Sequence, residues 1–95
     1  MKKIKKTLKL EDGTRIILVD FLDCEGPLDD IHRNVFRVDS NTKIVWQIGE
    51  YNPFPNSTFT NIYFQDNKLF GYNFDGGEYE IDSQTGKINS SELIK

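Results

Sequence analysis

The chain has one cysteine, Cys24, and one histidine, His32, among 95 residues. A lone thiol excludes an intrachain disulfide and fits a reducing compartment. A metal centre built on His and Cys needs more donors than these two supply, so His32 reads as a surface residue beside Asp29 and Asp30. Cys24 as a nucleophile would need His32 as its base, since no second imidazole exists. No apolar run reaches membrane-spanning length. The early lysines lead into Thr7-Leu8-Lys9-Leu10-Glu11-Asp12, not into an apolar run of signal-peptide length. No glycine-rich phosphate loop is present, because Gly76-Gly77 falls between two strand patterns and not before a helix. The expectation is a soluble, cytoplasmic chain with no cofactor, no metal and no catalytic signature.

Aromatic residues and unevenly distributed charge are what the sequence does hold. Phe, Tyr and Trp make up 13% of it, a composition that suits strands and an aromatic core. Net charge is −3, yet Lys2, Lys3, Lys5, Lys6 and Lys9 supply five of the twelve basic residues. The remainder carries seven basic against fifteen acidic residues, a balance of −8. Such a body argues against general nucleic-acid binding, which needs a basic face. The lysine run reads as a solvated edge strand, where lysine discourages edge-to-edge pairing, in preference to a membrane or nucleic-acid contact.

Period-two patterning dominates. Ile4, Leu8 and Leu10 alternate with polar residues, and Asp12-Gly13 marks a hairpin turn. Arg15 to Leu22 is apolar on both faces, the mark of a central strand covered on both sides, or on one side by a partner chain. Phe36 and Val38 share a face before the Asp39-Ser40-Asn41-Thr42 turn, and Ile44, Trp46 and Ile48 share one after it. Trp46 is expected to be buried against Phe36, Phe70 or Tyr72. Strands follow at Thr58 to Phe64, Leu69 to Phe74, Glu78 to Asp82 and Lys87 to Asn89, with Asp75-Gly76-Gly77 as a turn. The last residues, from Ser90, read as a helical turn or a frayed end.

Val38-Asp39-Ser40-Asn41-Thr42-Lys43-Ile44 matches Ile81-Asp82-Ser83-Gln84-Thr85-Gly86-Lys87-Ile88 with Gly86 inserted. One β unit is thus written twice within a single domain. Unit one spans roughly residues 3–48, a Pro-containing loop spans 49–57, and unit two spans roughly 58–89. The predicted fold is all-β: about eight antiparallel strands in two four-stranded units, packed as a sandwich or rolled into a barrel-like meander.

The repeated segment resembles the blade repeats of quinoprotein-type β-propellers, which run from an Asp through a Thr-Gly turn to a Lys and an apolar strand. The likeness covers about fifteen residues per unit. Two units are too few to close a propeller, so the family's cofactor site does not carry over. The stretch from Val35 to Ile48 is also similar to small bacterial all-β proteins, some encoded beside toxins, which implies an immunity or inhibitor role.

The residues favour binding over catalysis. Asp23, Glu25, Asp29 and Asp30 sit in one short loop and could steer a basic partner. Together with Asp20 they could hold an acid–base pair only if two of them were buried, so a solvated loop is the simpler reading. Tyr51 and Phe54 offer aromatic anchors, or a lid over the end of the sandwich. The expected function is a non-enzymatic protein-binding module that presents acidic residues to a basic enzyme. The alternative is a small ligand-binding or enzymatic barrel with a pocket of Trp46, Tyr63, Phe70 and Tyr72.

Overall fold

A computed structural model of the chain describes residues 2–21, 33–49 and 57–93. Eight strands form two antiparallel meanders. The first contains β1 (Lys2–Lys9), β2 (Arg15–Phe21), β3 (Val35–Val38) and β4 (Ile44–Gln47). The second contains β5 (Phe59–Gln65), β6 (Lys68–Asn73), β7 (Gly77–Ile81) and β8 (Ile88–Leu93). Each sheet keeps its strands in sequence order and stays open, so the fold is a two-sheet sandwich and not a closed barrel. β8 runs to Leu93, where a helical turn or a frayed end was expected. Pairing of Ser90, Ser91, Glu92 and Leu93 with β7 carries the strand onward.

The duplication is wider than the turn motif. In the first sheet Ile4 pairs with Val19 and Lys6 with Leu18, leaving Lys5 as a bulge. In the second, Phe59 pairs with Asn73 and Asn61 with Tyr72, leaving Thr60 as a bulge at the matching position. The later hairpins agree as well. Val45 is skipped between the Arg37–Trp46 and Val38–Ile44 pairs, and Asn89 between the Glu80–Ser90 and Ile81–Ile88 pairs. Arg15 opposite Val38 corresponds to Leu69 opposite Ile81. The two sheets therefore share one register through all four strands.

Turn chemistry repeats with it. The Asp39 and Asp82 amides donate to the carbonyls of Lys43 and Lys87 at 2.9 and 2.8 Å. Their carboxylates accept from the amides of Asn41 and Gln84, the self-bonding that makes Asp a turn former. The residue before each lysine is left-handed: Thr42 at φ 64° and Gly86 at φ 78°. Gly86 thus takes the backbone role of Thr42.

The core lies between the sheets. Ile16, Leu18, Val35, Trp46 and Ile48 of the first sheet meet Phe59, Ile62, Leu69 and Ile81 of the second. Trp46 is buried as expected, but Phe36 lies in a separate cluster, and Trp46 rests against the turn after β7. Its indole N–H donates to the Ser83 carbonyl at 2.8 Å. Arg37, also buried, donates to the same carbonyl at 2.7 Å, to Thr14 Oγ1 at 3.0 Å and to Asp12 at 2.7 Å. Asn34 joins the sheets at the other end. Its amide donates to the Val19 and Phe59 carbonyls and accepts from the Phe59 N–H, each at 2.9 Å. No buried side-chain polar atom among the described residues lacks a partner, as the cost of a buried unpaired group requires.

Candidate binding face

The bulges decide what the outer face of the first sheet contains. Strict alternation places Ile4 with Leu8 and Leu10, and Ile44 with Trp46 and Ile48. An extra residue in a strand reverses the side of everything beyond it. Lys5 therefore turns Ile4 outward, opposite Val19, and Val45 turns Ile44 outward, opposite Val38. Ile4 and Ile44 are 54% and 60% exposed, whereas Ile48 is fully buried. The inward placement of Ile4 and Ile44 is corrected on this ground.

Between these two isoleucines runs a groove of about 220 Å³. Its floor is the second apolar cluster, Val19, Phe36 and Val38, with Ile17 packed beside it. Arg15 and Thr42 complete the lining. The register sets Lys9 directly across from Arg15 on this face, a like-charge pair that is unfavourable in isolation. Neither cation takes part in an ion pair among the described residues. The face is thus apolar in its middle and basic at one end.

The outer face of the second sheet differs in character. Tyr63 and Phe70 pair across β5 and β6 with their rings stacked, centroids 5.7 Å apart. Tyr72 lies on the same side, and Glu78 and Glu80 of β7 sit opposite Tyr72 and Phe70. Lys68 approaches Glu80 at 4.0 Å. This face is aromatic and acidic. The four aromatic residues expected to share a pocket are divided by it: Trp46 faces the inter-sheet core, while Tyr63, Phe70 and Tyr72 face away from it.

Among the described residues two titrations are perturbed. Two hydrogen bonds from Thr14, through its hydroxyl and its amide, together with the Arg37 guanidinium, hold the Asp12 carboxyl below its usual range. Burial, and a hydrogen bond from its hydroxyl to Asp75 at 2.7 Å, push the Tyr79 phenol up to about 12. Asp12 bonds within the turn after β1, and Tyr79 reaches back to the turn after β6. Among the described residues no three His, Cys, Asp or Glu side chains gather as a metal site would require. Asp23, Glu25, Asp29, Asp30, Tyr51 and Phe54, like Cys24 and His32, lie outside the described residues.

Sequence reading missed the groove because it missed the bulges. The signal available was β2, apolar on both faces, which implies cover on a second side. This architecture defines a two-sheet β-sandwich with an open apolar face. A family profile matches residues 1–93, and the chain belongs to that family, DUF7957, a domain of unknown function. No curated protein and no solved structure matches the chain.

Proposed function

We propose that the protein is a non-enzymatic protein-binding module and that the outer face of the first sheet is its binding face. The observation that carries this reading is the reversal of Ile4 and Ile44. Two edge-strand bulges place isoleucines on the solvent side, where they wall a groove floored by Val19, Phe36 and Val38. Bulges of this kind re-aim side chains at sheet edges, and apolar side chains gathered on an exposed face mark interaction sites.

The charge balance supports a second surface. Asp23, Glu25, Asp29 and Asp30 lie within eight residues of one another and give the segment between β2 and β3 a negative potential. An inhibitor or immunity-type role against a basic enzyme follows, with these carboxylates steering encounter and Tyr51 and Phe54 anchoring the complex. The lone cysteine favours a cytoplasmic setting. The module then has two surfaces of opposite character, a basic-rimmed groove and an acidic segment.

Affinity capture from the native cell, with partners identified by mass spectrometry, tests the binding face. Wild type and Ile44→Asp are compared at equal loading. Loss of the captured protein with Ile44→Asp is the expected outcome. Identical capture by both would remove this face from the function.

A further inference from the structure

The shared register fixes how the two units are stacked. Val38 and Ile81 are equivalent positions, yet Val38 is on the outer face of the first sheet and Ile81 is in the inter-sheet core. Likewise Ile16 and Leu18 face the core, while their equivalents Phe70 and Tyr72 face outward. The sandwich is therefore not two like faces pressed together. The same face of each unit points the same way, and one face of unit two packs on the opposite face of unit one. Such head-to-tail stacking leaves uncovered the two outer faces, which are the faces a further unit in the stack would join: the groove face of unit one and the aromatic face of unit two.

We infer that the occupant of the groove face is a second copy of this chain, docked through the aromatic, acidic face of its second sheet. This rests on the binding-face reading above and names its partner. The two faces complement each other in charge, with Lys9 and Arg15 on one and Glu78 and Glu80 on the other. They also complement each other in shape, an apolar groove against a ridge of stacked rings. Against that face the Arg15 guanidinium has rings to stack on, Tyr63 and Phe70, and a carboxylate to pair with in Glu80, which sits opposite Phe70. The like-charge pair Lys9 and Arg15 gains its counter-charges in the same step. Because the interface joins two different faces, association is heterologous and continues until it closes into a ring or extends as a filament.

Sedimentation of the purified full-length chain, 11.0 kDa as a monomer, tests this over rising concentration at low and high salt. Species larger than the monomer, weakened by salt, are expected. Lys9→Glu with Arg15→Glu should leave a monomer, and so should Glu78→Lys with Glu80→Lys. All four changes in one chain should restore association. Burial of Trp46, read from its fluorescence, checks that each variant is folded, and Lys9→Glu alone serves if Arg15→Glu misfolds. A wild type that stays monomeric throughout overturns the inference. So does association that survives the Glu78 and Glu80 reversal, since that means like faces meet. A monomeric wild type whose captured protein is still lost with Ile44→Asp removes the second copy but keeps the binding face. Capture indifferent to Ile44→Asp removes the face itself.

Discussion

Gly86 lies flat against the indole of Trp46: a Cβ at Gly86 would stand 2.5 Å from Trp46 Cε3 and 2.7 Å from Cδ2. The contact joins the turn of one repeat to the central aromatic of the other, so it holds the sheets in register. It also explains why glycine occupies a site where the first repeat has Thr42. Both backbones are left-handed there, and at Gly86 the indole leaves no room for a side chain.

Gly86→Ala should therefore destabilise the protein more than an ordinary turn substitution. The added methyl meets both a clash and a positive φ, together costing about 2–4 kcal/mol. Trp46→Ala should cost about 3–5 kcal/mol through the cavity it leaves. The double variant should cost less than the sum, because the cavity admits the methyl. Urea unfolding of the three variants checks this, and strict additivity would separate the two residues.

Asn34→Ala removes the amide that pairs both the N–H and the C=O of Phe59. Each buried backbone group left without a partner costs about 1–3 kcal/mol. The Phe59 amide should lose its protection from hydrogen exchange ahead of the centres of β6 and β7. Unchanged protection there would mean that Asn34 does not join the sheets.

Acid should reveal Asp12. Its folded pKa is depressed, so its contribution is fully present above the unfolded value and lost as pH falls through the folded one. Wild type should exceed Asp12→Asn in urea midpoint at neutral pH, and the two should converge in strong acid. A constant gap across that range would point to packing in place of charge.

Base should reveal Tyr79. Its pKa is raised to about 12, so the neutral phenol favours the fold up to the ordinary tyrosine range, and that contribution disappears as pH climbs through the raised value. A phenolate absorbance titration should show a late component in wild type that is absent from Tyr79→Phe. If the late component persists in Tyr79→Phe, it belongs to another tyrosine.

The hairpins, the strand count and the duplication were legible because alternation and Asp-rich turns are local signals. The buried position of Trp46 was legible for the same reason. Ile4 and Ile44 were not, because a bulge needs one extra residue and has no fixed sequence mark; neither Lys5 nor Val45 is a glycine that would announce it. The partners of Trp46 were not legible either. Ser83 and Gly86 are far away in sequence, and only the head-to-tail stacking brings them together. The double apolar character of β2 was the one visible trace of the binding face, and it gave the need for cover without the place.

The central claim is that the outer face of the first sheet is a binding face, and covalent footprinting of the bound protein tests it most directly. Four of the exposed apolar side chains are natural reporters: Ile4 and Ile44 on that face, Phe64 and Phe74 away from it. On complex formation Ile4 and Ile44 should lose most of their labelling, while Phe74, the most exposed at 75%, keeps its own. Protection of Phe64 and Phe74 with Ile4 and Ile44 still labelled would contradict the account.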